Sequence, residues 1–319
     1  MNEATKIVEE LEGRKVRIVC AKGDLYPAVN VLRRLYKQAG YELYDKNGRV
    51  ITGEEDEEGQ PDLIYTKLHR DPFVVLRPQN FSELLSREEP ILVVGAGYDI
   101  EMDDFLEMER RTDHNPDLPP EFKHKLVDDF RLNGSLEDPK TREAIMMGQI
   151  KMAGLKGVDL KFKPTITMMI ASTRWDICTL YDVPSGPGVS ELRALSEMYM
   201  IKKGEKATHI QRIPRGADTR VIGGLNPCGT DIVESGNTLD GYLKKGEIRV
   251  VRDGKGKPAV VTRSHPFMLV SDMTYRGAPE FYDGLFALSA EIRDKLIIEG
   301  VLGTEEKFLP FMKSLERAT

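Results

Sequence analysis

Between positions 229 and 239 the chain joins two carboxylates to a run of small polar residues: Gly229, Thr230, Asp231, Ile232, Val233, Glu234, Ser235, Gly236, Asn237, Thr238 and Leu239. Residues 230–233 carry the β-branched and apolar signal of a buried strand end. Residues 235–238 are turn-prone, and Leu239 and Leu243 then recur at i, i+4, as on a short helix with one apolar side. Gly246 is placed to close that helix. A turn leading into a helix leaves backbone N–H groups unpaired and points the helix dipole at an anion. Gly236 would let a phosphate approach the backbone, and Ser235 and Thr238 add hydroxyl donors. Asp231 and Glu234 would repel a bare phosphate, but they suit a ligand that also carries hydroxyls or Mg²⁺. A ribose 5-phosphate meets both conditions. The same residues also read as an ordinary capped helix after a strand, and spacing alone leaves both readings open.

A second set of candidates lies near the start of the chain. The run 16–20, broken only by Arg17, predicts a strand that ends at Lys22 and Gly23. Val29, Leu32, Leu35 and Tyr36 then fall at helical spacing, and Gly40 ends the helix. Strand, glycine turn and helix make half of a βαβ unit, whose ligands lie at the carboxyl end of the strand. A solvated surface lysine is the plain alternative for Lys22.

The remaining elements must position these two ends. Ile7, Val8 and Leu11 predict a leading helix, 73–76 and 91–94 predict buried strands, and a short helix begins at Phe81. Strands alternating with helices imply a parallel or mixed sheet covered on both faces. Further strands are expected over 164–171, 176–181, 207–210 and 267–270. Helices are expected from Leu192 to a stop at Gly204, over 281–298 and over 308–315. The segments 248–251 and 259–262 read as a hairpin around 253–256. The stretch 102–153 is rich in charge and proline and reads as an insertion. His114 and His124 within it match no metal-site spacing.

Composition narrows the class. A chain of 319 residues can bury a large core, and two lobes are expected. A net charge of −6 implies no general affinity for nucleic acid. Cys20, Cys178 and Cys228 lack CxxC spacing and sit among apolar residues, which predicts buried thiols in a reducing compartment. The charged residues 1–13 do not read as a signal peptide, and no apolar run is long enough to span a membrane, so a cytoplasmic location is expected.

The stretch from Asp231 to Leu239 resembles the phosphoribosyl-diphosphate loop of the ATP phosphoribosyltransferases, the first enzymes of histidine biosynthesis. Other segments follow in that family's order: Arg17, Ile18 and Val19 through Lys22, Gly23 and Leu25; Leu76, Arg77, Pro78, Gln79 and Asn80; Gly97, Tyr98 and Asp99; and Ile177 to Tyr181. Lys203 and Gly204 with Ala207, and Arg215, Gly216 and Ala217 ahead of the loop, complete the series. About two-thirds of the chain is covered, and its length resembles the short form that lacks a C-terminal regulatory domain. Asp24 stands where many members have arginine, 91–94 replaces an Asp-Leu-Gly, and the acidic residue usual after Gly-Ala is displaced to Asp218 or Thr219. The insertion and the 183–189 loop are further departures. They touch the nucleotide half more than the phosphoribosyl half.

The resemblance implies an α/β fold of two lobes, like a type II periplasmic binding protein, each a mixed sheet flanked by helices. Lobe I would be 1–104 and 241–319, the insertion 105–155, and lobe II 156–240. The implied reaction moves 5-phosphoribose from phosphoribosyl diphosphate to a ring nitrogen, N1 of ATP in the family, with Mg²⁺ as cofactor. Ser235, Gly236, Asn237, Thr238 and Leu239 would hold the 5-phosphate, and Asp231 and Glu234 would face ribose hydroxyls or Mg²⁺. Lys22, Gly23, Arg77, Arg49 and Arg215 would meet diphosphate or nucleotide phosphates. A homo-oligomer, at least a dimer, with or without a regulatory subunit, is the implied assembly. The competing readings are a two-lobed small-solute binding or regulatory protein without chemistry, and a phosphoribosyltransferase with a different acceptor.

Overall fold

The computed structural model describes residues 2–53, 59–76, 81–85, 89–97, 154–162, 165–203, 208–213, 216–233, 237–303 and 313–315. These fall into two units with one six-stranded mixed sheet each, so no sheet runs through both, as the two-lobe reading requires.

The first unit holds the described residues up to Gly97, those of 154–162 and those of 265–303. Its strands are β1 (Arg17–Ala21), β2 (Leu63–Ile64), β3 (Phe73–Leu76), β4 (Ile91–Gly97), β5 (Leu155–Asp159) and β12 (Pro266–Ser271), in the order β2-β3-β1-β4-β12-β5. β1 runs parallel to β3 and β4, while β12 is antiparallel to both β4 and β5. Every residue of β4 is buried, which is why it reads as an unbroken apolar run. Ile18 and Cys20 pair with Leu92 and Val94 and face one core. Helices α1 (Glu3–Gly13), α2 (Val29–Gln38) and α8 (Pro279–Ile298) bury Leu11, Leu32, Leu35, Leu285 and Ile292 in that same core. A 3-10 turn over Gly23–Ala28 links β1 to α2, and the short helix α3 (Phe81–Leu85) precedes β4.

The second unit holds the described residues of 165–264 and 313–315. Its strands are β6 (Thr165–Ser172), β7 (Gly188–Ser190), β8 (Ile210–Arg212), β9 (Cys228–Val233), β10 (Ile248–Val250) and β11 (Val260–Ser264). β9, β7 and β8 are parallel, and β6 is antiparallel to β9, β10 and β11. The helices are α4 (Arg193–Lys203), α5 (Ala217–Ile222) and α6 (Asn237–Lys244); α7 (Asp272–Arg276) follows β12 in the first unit. Residues on opposite faces of β6 enter separate cores: Ile166, Met168 and Ile170 in one, Met169 and Ala171 in the other.

Three expectations need correction. The lobe boundaries differ: β5 pairs with β12 in the first sheet, whereas α6, β10 and β11 lie in the second unit. The reason is pairing along β6. β10 pairs with Ile170 to Ser172 and β11 with Thr165 to Met168, both on the edge that β9 leaves open. The expected hairpin forms next to its turn, where Ala259 N donates to Val251 O at 2.8 Å and Arg252 faces Pro258 in an antiparallel bridge, whereas β10 and β11 themselves both pair with β6; the return to the first unit comes after Ser264. Its tight turn is real: Gly256 N donates to Asp253 O at 3.0 Å. The segment 176–181 is not a strand but a loop with one isolated parallel bridge, Thr179 to Arg252, that enters a turn at Leu180, and the Asp182 carboxylate captures the N–H groups of Cys178 and Thr179 at 3.1 and 2.7 Å. Cys178 is consequently exposed, against the expectation of three buried thiols, while Cys20 and Cys228 are buried. The expected insertion, with His114 and His124, lies outside the described residues up to 153. No helix among the described residues is long and apolar enough to cross a membrane.

Candidate functional site

The second unit frames the central stretch as expected. β9 delivers Asp231 and ends at Val233, and α6 starts at Asn237. Glu234, Ser235 and Gly236 lie outside the described residues, as do Arg77 and Arg215. Thr238 is exposed in the first turn of α6. Leu239 is fully buried in the core with Val233 and Ile248, so its side chain anchors the helix and touches no ligand. Asp240 pairs with Lys244 at 2.5 Å along the helix.

Asp231 is paired with Met168 and so shares the sheet face that carries α5 and α6. Burial pushes its carboxyl up to about 7, the charges of Asp218 and Glu191 push the same way, and a backbone hydrogen bond from Ile232 opposes them. Burial also raises the Tyr242 hydroxyl on α6, with Asp218, Asp231 and Glu247 adding to it. Three carboxylates from β9, α5 and the residue after β7 thus gather near the end of β9. Among the described residues no group of three or more His, Cys, Asp or Glu is arranged to hold a metal ion by itself. Mg²⁺ commonly takes one or two carboxylates and keeps waters and substrate oxygens for the rest, and Asp231 fits that limited role.

On the other face of β9, Thr230 joins a buried hydroxyl chain. Ser190 Oγ lies 2.6 Å from Thr230 Oγ1 and 2.9 Å from Ser196 Oγ, and it accepts from Leu192 N at 2.9 Å. This network fixes β7, β9 and the start of α4 to one another. Nothing in sequence spacing points to it.

In the first unit, Lys22 and Gly23 follow β1 at its carboxyl end, as expected. Lys22 N donates to Leu76 O at 2.7 Å, so the ends of β1 and β3 stay side by side. The Lys22 ammonium is held by Asp62 at 2.7 Å, and Gly23 by Gln60. Arg49 occupies a separate turn and faces Asp45 at 3.7 Å, with its side chain 80% exposed. Gln60, Asp62, Glu191 and Tyr242 escaped sequence reasoning because each meets its partner across a long stretch of chain.

Neither a protein-family model nor a curated protein matches the sequence. Among solved structures, the chain is similar to the ATP phosphoribosyl transferase (HisG:HisZ) complex from Thermotoga maritima, with 13% identity, TM-score 0.47, and coverage of 88% of this chain and 99% of that one. It is similar to Tv2483 bound to L-arginine at 6% identity and TM-score 0.47, covering 92% of each chain. It is also similar to a mutant of ArgBP from T. maritima at 9% identity and TM-score 0.45, covering 95% of this chain and 99% of that one.

Proposed function

We propose that the chain is a phosphoribosyltransferase that moves 5-phosphoribose from phosphoribosyl diphosphate to a ring nitrogen of a nucleotide, N1 of ATP being the specific acceptor. The observation that carries this reading is Asp231. Its carboxyl is pushed up to about 7, on a strand that runs into the Glu234–Asn237 turn sequence and a helix start. A carboxylate that is costly to ionise gains most from a ligand that donates hydrogen bonds to it. The vicinal hydroxyls of a ribose do so, and Mg²⁺, when bound, would supply positive charge there and help the diphosphate depart.

In this reaction the ring nitrogen's lone pair forms the bond to ribose C1 as the C1–O bond to diphosphate breaks. Diphosphate leaves with the electron pair, and no protein nucleophile is needed. The chain's own work is to hold the reactants in line. Asp231 binds and orients the ribose, and Thr238 with the first N–H groups of α6 supports the 5-phosphate end. Ser235, Gly236 and Glu234 complete the proposed loop, and Arg77 and Arg215 are proposed phosphate contacts. The same reading carries a homo-oligomer, at least a dimer, and a cytoplasmic location.

Transfer of labelled ribose 5-phosphate from phosphoribosyl diphosphate to ATP, with diphosphate release, is the expected result. It should fall at least tenfold in Asp231→Ala. Binding of phosphoribosyl diphosphate without transfer to any nucleotide would favour the solute-binding alternative. Absence of both binding and transfer would sink the proposal.

A further inference from the structure

The end of β1 carries its own acceptor groups. Lys22 Nζ donates to Asp62 Oδ1 at 2.7 Å. The Gln60 amide closes on Gly23 from both sides: Oε1 accepts from Gly23 N at 2.7 Å, and Nε2 donates to Gly23 O at 3.1 Å. Both partners arrive from a segment 37 and 40 positions further along the chain. The Gly23 N–H and one donor of the Lys22 ammonium are thus already engaged within the protein.

We propose that Gln60 and Asp62 are specificity-determining residues that occupy the ammonium and the N–H at the end of β1 and so select against free polyanions there. The inference rests on the phosphoribosyl reading, in which Lys22 and Gly23 meet an anionic group of a substrate.

The two residues act differently. Gln60 is 9% exposed and bonded at both ends of its amide, so withdrawing it would leave buried polar groups unpaired. The Gly23 N–H therefore stays taken. The Asp62 side chain is 81% exposed while that of Lys22 is 27% exposed, and an exposed ion pair is cheap to open. Two of the three ammonium donors of Lys22 remain for a ligand. Any phosphate oxygen that reaches them meets the Asp62 carboxylate on the same cation. The hydrogen bond and charge of Lys22 hold that carboxyl below its ordinary range, so it stays anionic near neutral pH. Free diphosphate suffers the repulsion in full, whereas a Mg²⁺-accompanied or singly charged group suffers less.

Calorimetry with the full chain tests this, using inorganic diphosphate without metal as the probe. Asp62→Asn and Asp62→Ala should each tighten its binding by roughly three- to tenfold, the range expected for removing one exposed like charge. Lys22→Met placed in the Asp62→Ala background should abolish the gain. Unchanged or weaker diphosphate binding in both Asp62 variants, with wild type still binding phosphoribosyl diphosphate, would overturn the inference and leave the phosphoribosyl reading intact. A gain with no binding of phosphoribosyl diphosphate would support the selection and sink that reading. No binding of either ligand by any form would overturn both.

Discussion

The hydroxyl oxygens of Ser190 and Thr230 lie 2.6 Å apart, on the face of the second sheet opposite Asp231. The bond ties β7 to β9 directly beneath the start of α4. Ser190 is fully buried and also bonds Ser196 and Leu192 N. Ser190→Ala strips three partners at once and leaves a buried hydroxyl and an N–H unpaired. A loss of about 2–4 kcal/mol in urea unfolding is expected. Thr230→Val keeps the shape and leaves Ser190 its other partners, so it should cost about 1 kcal/mol. Equal losses in the two variants would show that the network does not centre on Ser190.

Asp231 makes stability depend on pH in the direction unusual for an aspartate. Its carboxyl titrates near 7 in the folded chain, against an ordinary value of 3.8. Between these values the folded state binds more protons than the unfolded state, so stability falls as pH rises through about 4 to 7. The slope is at most about 1.4 kcal/mol per pH unit. Asp231→Asn should remove that slope. The variant should match wild type near pH 4 and exceed it at pH 8, read by denaturant unfolding at each pH. A variant less stable than wild type at pH 8 would contradict the burial cost assigned to this carboxyl.

His69 works in the opposite direction. Its ring bridges Glu12, with Nδ1 at 2.8 Å from Oε2, and Tyr36, with Nε2 at 2.6 Å from the hydroxyl. Burial lowers its pKa, and the charge of Glu12 only partly offsets this. The unfolded chain therefore takes up a proton first, and stability should fall as pH drops below about 6.5. His69→Leu should cost about 1–3 kcal/mol at pH 7.5, because the Tyr36 hydroxyl is left buried without this partner. The variant should also lose part of the acid slope. A variant whose slope below pH 6.5 matches wild type would rule out His69 as its source.

Physical reasons separate what was legible in the sequence from what was not. β1 and β4 stood out because central strands buried along nearly their whole length read as short apolar runs; β3 stood out by its four apolar residues and β9 by the β-branched and apolar residues at its end. α2 and α8 stood out by helical spacing. β5 was missed because Lys156, Gly157 and Val158 are only half-buried on an edge strand, with no apolar run to mark it. The 176–181 segment misled because Ile177 and Leu180 are core anchors of a loop, and burial does not distinguish a loop from a strand. Leu239 entered the site through its place in the loop motif, although apolar spacing already marked it as core. The carboxylates around Asp231 come from separate elements and carry no shared pattern in sequence.

The 176–182 loop also makes the three thiols unequal. Cys178 is exposed and receives a hydrogen bond on its sulfur from Arg249 Nη1 at 3.2 Å. Cys20 is buried, and burial pushes its thiol up to about 12. Cys228 is buried on β9. A thiol-specific reagent should label one cysteine in the native protein and all three after denaturation, with Cys178 identified by peptide mapping. Native labelling of Cys20 or Cys228 would contradict this placement.

Gly23 and Gly53 separate backbone strain from packing at the end of β1. Their φ angles are nearly equal, +80° and +81°, in the region that other residues enter at a cost of about 1–2 kcal/mol. A Cβ added at Gly23 meets nothing within 4 Å, whereas at Gly53 it would stand 2.0 Å from Asn30 Oδ1. Asn30 is buried, donates to Gly53 O at 3.2 Å and accepts from Arg33 Nε at 3.1 Å. Gly23→Ala should therefore cost the strain alone. Gly53→Ala should add the loss of the Asn30 contacts, about another 1–3 kcal/mol. Thermal unfolding of the two variants reads the difference. Equal melting temperatures would mean that the Asn30 contact at Gly53 adds nothing beyond the strain.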